Sequence, residues 1–352
     1  MEKNNLPGTV TFFGCPGEEG GSGKTFMVRE GVFDGVDAAL TWHPSPVNAI
    51  MNYSTLANYQ VYFRFKGKSA HAASSPHLGR SALDAVELMN TGVNYLREHV
   101  IPEARMHYAV TDTGGFSPNV VQANAEVLYL IRAPRVDQVD EIYRRILKIA
   151  DGAALMTETE VEVTFDKGCS NYVPNRHLEK LLHHSFMQTG AGEASEAEKT
   201  FAERIWNTLP ESEQKNFIDP LIGFGYRGDG SEFEGKFVAE SISDYEPEAG
   251  ILPGSTDVAE VSWVVPTAQL TSATSALGTA LHSWQMTSQG LSDFAHHGTL
   301  RAAQAMALTG LELFISREAL DQVKSEFREF RLKNDYINPI PDEVKPSPLN
   351  PQ

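Results

Sequence analysis

Two adjacent carboxylates, Glu18 and Glu19, lie in a glycine-rich segment after a short apolar stretch, and His43 follows the next apolar stretch. Like charges repel each other, so neighbouring carboxylates are costly unless something compensates for the charge. A divalent cation could do so, because one carboxylate can bind the ion while the other takes a proton from metal-bound water. A histidine is a suitable ligand for the same ion. The simpler alternative is a solvated acidic turn beside a histidine that ends a strand.

The same segment also resembles a phosphate-binding loop. Residues 20–25 read GGSGKT, but the Walker pattern needs a further glycine at the position of Glu18. A carboxylate inside a phosphate cradle would oppose the binding of an anion. Nucleotide binding is therefore the weaker alternative for this segment.

The elements expected around these residues would bring them to one place. The pattern predicts a buried strand over residues 9–13, an irregular loop as far as Lys24, a helix over 25–33 and a second strand over 37–41. In an open α/β sheet, sites form at the edge where the carboxyl ends of the strands meet. We therefore expect the acidic pair and the histidine to share one such edge.

A different pattern follows, in the order strand, helix, strand, strand, helix, strand. The strands are expected over residues 56–65, 106–111, 120–132 and 159–166, and the helices over 81–100 and 136–155. This order is the ferredoxin-like arrangement. It predicts a small α+β domain, residues 56–167, inserted into a larger α/β domain formed by residues 1–55 and 168–352.

The remaining chain is mostly helical in pattern. We expect helices over residues 178–187, 195–209, 293–314 and 317–330, a strand over 262–265, loops over 219–254 and an extended, proline-rich surface tail from 335.

The net charge, the number of cysteines and the length of the apolar runs argue against several classes of function. The net charge of −17 over 352 residues argues against a nucleic acid or an anionic membrane surface as partner. The two cysteines, Cys15 and Cys169, are too few for a disulfide framework, so a reducing, cytoplasmic compartment is expected. No apolar run approaches the length of a membrane span, and the first residues lack the apolar segment of a secretory signal.

Five short stretches together resemble the dinuclear-metal aminoacylase and carboxypeptidase family of metallopeptidases. They occur in the family's order, with the inserted domain between the same two motifs, and they read GEEGGSGK at 17–24, SAHAA at 69–73, SPNVVQ at 117–122, GSTD at 254–257 and HSWQ at 282–285. The resemblance implies a zinc-peptidase-like α/β catalytic domain with an inserted lid and dimerisation domain. It also implies a homodimer, or a heterodimer with a related subunit.

The resemblance implies roles for individual residues as well. Glu18 resembles the general base that activates the bridging water, while Glu19, His43 and His282 resemble metal ligands. His71 matches a histidine that reaches across the dimer to stabilise the developing oxyanion. For His71 an ordinary loop histidine is an equally good interpretation.

Three further residues match or lie in substrate-binding stretches of the family. Asn119 and Arg132 match lid residues that hold the substrate's carboxylate and carbonyl, and a guanidinium suits a carboxylate well. Asp257, in the GSTD stretch, is the third candidate for substrate binding. The simpler interpretations are a surface charge at a strand end for Arg132 and a turn or N-cap residue for Asp257.

The chain departs from the family in its metal ligands. The family holds two divalent ions, manganese or zinc, and this branch takes some of their ligands from an earlier Cys-Gly-His-Asp motif that this chain lacks. We therefore expect either a truncated form or ligands supplied from elsewhere. One metal ion or none is expected in this chain.

The expected reaction is hydrolysis of the amide bond of an N-acyl or N-aroyl amino acid. The resemblance favours p-aminobenzoyl-glutamate, a folate breakdown product, as the substrate. Glu18 would take the proton of the metal-bound water and pass it to the leaving amine. The alternative is a non-catalytic dimerisation subunit, which the missing ligands favour and the retained Glu18-Glu19 pair disfavours.

Overall fold

Helical structure begins at the acidic pair in the computed structural model, which describes residues 6–247 and 250–346. The first elements are α1 (Glu18–Gly21), α2 (Gly23–Arg29), β1 (Ala39–Ser45), β2 (Ala49–Ile50) and β3 (Ser54–Thr55). Gly17 and Ser22 flank α1 with φ angles of 74° and 49°. The single turn of α1 is thus bounded on both sides by left-handed residues, a conformation that glycine adopts without cost and that other residues rarely adopt.

The prediction of a buried strand over residues 9–13 is wrong. These residues pair with no strand of the described structure, and the side chains of Val10 and Phe12 are 73% and 94% exposed. A strand needs a neighbour to accept and donate its backbone hydrogen bonds, and apolar residues alone do not supply one. The segment is held at its end, where the rings of Phe13 and Phe33 pack with centroids 4.8 Å apart.

The middle of the chain forms a four-stranded antiparallel sheet covered by two helices. Its elements are β4 (Ala57–Lys66), α3 (Ala82–Leu96), β5 (Arg105–Asp112), β6 (Asn124–Ala133), α4 (Val136–Thr157) and β7 (Glu160–Cys169). The strand order β5-β6-β4-β7 is the ferredoxin-like one that the sequence predicts. The assignment of residues 56–167 to an inserted domain stays a prediction.

Alternating apolar residues build the core of this sheet. On β4, Tyr59, Val61, Phe63 and Phe65 are all buried, as their period of two predicts. They pack together with buried residues of α3 and α4. Burial of each such large side chain contributes about 1.5–3 kcal/mol. Helix α3 begins as expected, with the Ser81 hydroxyl accepting a hydrogen bond from a backbone N–H of the first turn.

The rest of the chain returns to the first sheet. It contains α5 (Arg176–Thr189), α6 (Glu196–Trp206), α7 (Glu211–Lys215), α8 (Ile218–Leu221), β8 (Ile251–Leu252), α9 (Val258–Val264), β9 (Thr267–Ala273), α10 (Trp284–Gln289), α11 (Asp293–Ile315) and α12 (Arg317–Arg331). Strand β9 lies between β1, to which it is parallel, and β2. Helices α5 and α11 supply buried residues to the core around β9.

Two predictions for this part need correction. Residues 262–264 belong to helix α9, not to a strand. The six residues from Val258 to Trp263 are all buried, so the sequence shows no alternation of buried and exposed positions by which a helix could be distinguished from a strand. The expected loops over 219–254 contain α8 and β8. The tail is irregular as far as residue 346, but it is not all surface, since Ile340 is only 2% exposed. Residues 347–352 lie outside the described part.

No helix in the described ranges is both long enough and apolar enough to cross a membrane.

Candidate active site

The single turn of α1 presents Glu18 and Glu19, both exposed, at the start of the glycine-rich segment. The hydroxyl of Thr256 donates a hydrogen bond of 2.9 Å to Oε1 of Glu18. The two residues are 238 positions apart in the sequence, so the fold brings the end of the β8–α9 connection against α1. This contact orients the carboxylate predicted to act as the base.

Glu19 faces a different partner. Its Oε2 lies 3.6 Å from Nε2 of His282, and both side chains are more than two thirds exposed. His282 lies between β9 and α10 with a φ of 57°, a left-handed conformation that is uncommon for a residue with a side chain. The fold thus brings together two of the three predicted metal ligands.

His43 lies within β1 and not beyond its end, paired in register with Thr271 of β9. Its Nδ1 is 2.6 Å from the carbonyl oxygen of Pro44, and its ring lies 6.1 Å from that of Phe224. Within residues 6–247 and 250–346, no three His, Cys, Asp or Glu side chains converge in a way that could hold a metal ion. The described donor set therefore does not fit a two-ion centre, and the metal-binding roles of Glu19, His43 and His282 stay predictions.

Asp257 forms a buried ion pair that local sequence patterns do not indicate. Its carboxylate is 2.7 Å from Nζ of Lys24 and accepts a second hydrogen bond, of 2.9 Å, from the backbone N–H of the same residue. Burial raises the pKa of Asp257, and the Lys24 ammonium opposes that shift. Because Lys24 is engaged inside the protein, the geometry disfavours a phosphate-binding role for the GGSGKT segment. A substrate-binding role for Asp257 stays a prediction.

Arg132 lies near the carboxyl end of β6 and points towards the same loop. Its Nη1 donates to the Ser255 hydroxyl at 3.2 Å. Its Nε is buried and has no hydrogen-bond partner among the described residues. A buried N–H without a partner is unfavourable, so this guanidinium retains the capacity to bind an acceptor.

His71 and Asn119 lie in neighbouring loops. The carbonyl oxygen of Asn119 accepts a hydrogen bond of 2.9 Å from the N–H of Ala72. The His71 ring is exposed, and its Nδ1 accepts from the backbone N–H groups of Ala73 and Ser74, each at 3.2 Å. Since Nδ1 accepts, the neutral ring carries its proton on Nε2, which is therefore a donor.

Sequence reasoning misses Lys24, Ser255 and Thr256 as contacts of the candidate residues. In the sequence, Lys24 stands out only for its place in the phosphate-loop pattern, and the GSTD stretch only as part of a resemblance. Their partners are more than 100 residues away in the chain, which local patterns cannot indicate.

Comparison with known proteins gives three findings. Residues 55–157 match the family described as a peptidase dimerisation domain, M20_dimer. The chain is 51% identical over 353 residues to the subunit designated B of p-aminobenzoyl-glutamate hydrolase from Escherichia coli (strain K12), a match that covers 99% of this chain and 73% of that protein. It is 26% identical to Xaa-Arg dipeptidase of Homo sapiens, over 95% of this chain and 65% of that protein.

A solved structure agrees in fold alone. The aminobenzoyl-glutamate utilization protein from Klebsiella pneumoniae aligns with a TM-score of 0.50 and 17% identity, over 83% of this chain and 58% of that one. The chain thus spans less than two thirds of the dipeptidase and of the Klebsiella protein.

Fold, dimerisation domain and sequence identity define the class of protein as an M20-type amidohydrolase with an α/β and an α+β part. The chain belongs to the M20 family of amidohydrolases, which is generally metal-dependent and includes p-aminobenzoyl-glutamate hydrolase.

Proposed function

We propose that this chain acts in the hydrolysis of the amide bond of N-acyl or N-aroyl amino acids, with p-aminobenzoyl-glutamate as its substrate. The observation that carries the proposal is the 51% identity, over 99% of the chain, to a protein named as a subunit of the hydrolase of that compound. The contacts of Glu18 and Arg132 with two neighbouring residues, Thr256 and Ser255, support it.

Glu18 is the general base in this proposal. Its carboxylate is exposed, and the Thr256 hydroxyl holds one of its oxygens at 2.9 Å. A base must lie within hydrogen-bond reach of the proton it takes, so a carboxylate that is both accessible and held in place suits the task. The proton would pass from the attacking water to the leaving amine.

Arg132 and His71 bind the substrate in this proposal. The glutamate part of the substrate carries carboxylates, and the unpaired Nε–H of Arg132 together with its neighbouring N–H groups matches a carboxylate in geometry and charge. In a dimer, the Nε2–H of His71 would reach across to the other subunit's site and donate to the oxyanion that develops on the amide carbonyl oxygen. Asn119, whose loop contacts that of His71, would bind the carbonyl.

The metal requirement is the least complete part of the site. We propose Glu19, His43 and His282 as ligands of manganese or zinc, and one ion or none as the occupancy of this chain. Of the three proposed ligands, only Glu19 and His282 lie close to each other in the described structure. This observation supports the alternative, a non-catalytic dimerisation subunit.

The test is the release of p-aminobenzoate from p-aminobenzoyl-glutamate, followed by liquid chromatography with manganese or zinc added. We expect turnover by the parent and a loss of about 100-fold or more in Glu18→Gln, which keeps the shape of the side chain but removes the base. Elemental analysis of both proteins gives the metal content. Turnover that is equal in the two proteins would remove Glu18 from the mechanism, and a parent that associates with a related subunit without any turnover would favour the non-catalytic alternative.

A further inference from the structure

Residues 254–257, here called the site loop, bind several separate segments of the protein. On one side, the carbonyl oxygen of Gly254 accepts a hydrogen bond of 2.8 Å from the N–H of Leu56, just before strand β4. The hydroxyl of Ser255 accepts one of 3.2 Å from Arg132, near the end of β6. This side of the site loop therefore contacts the four-stranded sheet and the arginine proposed to bind the substrate.

The other side of the site loop contacts the acidic segment. Thr256 donates to Glu18 at 2.9 Å, and the next residue, Asp257, accepts from both N–H donors of Lys24 at 2.7 and 2.9 Å. Each residue of the site loop thus contacts a part of the chain that is distant in sequence. The proposed base and the proposed carboxylate-binding arginine are held by neighbouring residues of one short loop.

The contacts of Asp257 are the buried ones. The side chains of Lys24 and Asp257 are 11% and 1% exposed, whereas Glu18 and its contact with Thr256 lie at the surface. A buried carboxylate that accepts two N–H···O bonds from one residue is fixed in direction as well as in distance. Because Thr256 directly precedes Asp257, a fixed Asp257 limits where the Thr256 hydroxyl can lie.

We propose that Lys24 and Asp257 are positioning residues for Glu18. Their buried ion pair holds the site loop so that the Thr256 hydroxyl keeps the Glu18 carboxylate in its working orientation. The proposal rests on the proposed function, in which Glu18 is the base, and it gives the lysine of the GGSGKT segment a role other than phosphate binding.

The first test replaces the ion pair by apolar residues, in Lys24→Met/Asp257→Leu. Exchange of a buried ion pair for apolar side chains often keeps stability, but it removes both directed hydrogen bonds and leaves the backbone N–H of Lys24 without its acceptor. We expect a folded protein with a somewhat lower thermal unfolding midpoint and a kcat for p-aminobenzoyl-glutamate lower by about tenfold or more, with a smaller change in KM. The matched control is Lys215→Met, which removes the lysine of an exposed ion pair with Glu211 and should leave kcat unchanged. Parental kcat in the folded double variant would overturn the proposal.

The second test asks whether the ion pair acts through Thr256. Thr256→Val removes the hydroxyl but keeps the shape, and it should lower kcat as much as the double variant does, while Thr256→Ser should keep kcat near the parental value. Thr256→Val added to the double variant should lower kcat little further, because both changes remove the same contact. Fully additive losses would show that the ion pair and Thr256 act separately.

The third test does not depend on activity. In protein labelled with ¹³C at threonine methyl groups, the Thr256 signal is assigned from its loss in Thr256→Val. We expect Glu18→Gln to shift this signal in the parent, where the contact exists, and to shift it little in the Lys24→Met/Asp257→Leu background, where the contact is lost. In the Lys215→Met background, Glu18→Gln should shift the signal as it does in the parent. If the double variant does not fold, Lys24→Met/Asp257→Asn, which removes the ion pair but keeps an oxygen acceptor for the backbone N–H of Lys24, gives the same comparison.

The two proposals fail in different ways. A parent that hydrolyses nothing, with a Thr256 signal whose response to Glu18→Gln depends on the ion pair, would contradict the proposed function and leave the positioning contact standing. A response to Glu18→Gln that is absent, or that is the same with and without the ion pair, would overturn the positioning proposal, whatever the activity of the parent.

Discussion

At the scale of single residues, Arg132 keeps a hydrogen-bond donor without a partner among the described residues. The donor is its buried Nε–H. Among the described residues, the guanidinium donates a hydrogen bond only to the Ser255 hydroxyl. A substrate carboxylate would supply a charged acceptor, and such contacts contribute about 2–3 kcal/mol or more. Substrate preference should therefore depend on this side chain.

Arg132→Ala should lower kcat/KM for p-aminobenzoyl-glutamate by about 100-fold, mainly through KM, since the lost contact is made to the bound substrate. Arg132→Lys should recover little, because an ammonium cannot form the paired hydrogen bonds of a guanidinium. Steady-state kinetics, with metal content measured in parallel, give the comparison. Arg64→Ala, in the neighbouring strand β4 and paired with Glu126, is the matched control. Unchanged kinetics in Arg132→Ala would place this arginine outside the site.

At the scale of elements, the sequence correctly predicts the strands and helices that bury one face and expose the other. Strand β4 alternates and helix α3 starts at a serine cap, so local patterns locate both. Prediction fails where this pattern is missing. The first six residues of helix α9 are all buried, and their sequence favours a strand. Residues 9–13 are apolar, but they have no partner strand in the described structure. Glu18 and Glu19 stand out by their adjacency, but the Lys24–Asp257 contact spans 233 positions and follows only from the complete fold.

The segment after α12 gives an element-scale prediction, because it ties α9 to α2. The Tyr336 hydroxyl donates to the buried Glu260 carboxylate at 2.6 Å, and the Asn338 amide donates to the carbonyl oxygen of Thr25 at 3.0 Å. Tyr336→Phe should destabilise the protein by about 1–3 kcal/mol, because a buried carboxylate loses a donor. Thermal unfolding gives the measurement, and Tyr95→Phe, at a side chain that is 73% exposed, is the control. An unfolding midpoint like that of the parent would show that this contact does not hold the segment.

At the scale of the whole molecule, two buried carboxyl groups make stability depend on pH. Burial raises the pKa of Glu179 and of Glu260 from 4.5 to about 7. The folded state therefore binds more protons than the unfolded state between these values, and the free energy of unfolding falls as pH rises across that interval. Each shift corresponds to on the order of 3 kcal/mol.

Glu179→Gln should remove its share of this dependence. The amide oxygen can accept from Arg176 and Tyr245 as Oε2 does, and the amide nitrogen would replace Oε1, which has no partner among the described residues. Urea unfolding at pH 5 and pH 8 should show a smaller loss of stability in the variant than in the parent. The exposed Glu211→Gln should behave as the parent does. Equal pH dependence in parent and Glu179→Gln would show that Glu179 does not titrate in this range.

The last prediction concerns assembly. Residues 55–157 match a peptidase dimerisation domain, and within them β5 is an edge strand whose residues, apart from Met106, are all exposed. An exposed edge is a template for pairing with another chain, so we expect self-association, or association with a related subunit, through this edge. Sedimentation velocity should show a dimer, and Val110→Lys on β5 should shift it towards the monomer, because the charge would be buried in the interface. Val163→Lys on β7, the opposite edge of the sheet, is the control and should leave the dimer intact. A parent that stays monomeric both alone and with a related subunit would contradict this assignment of the edge.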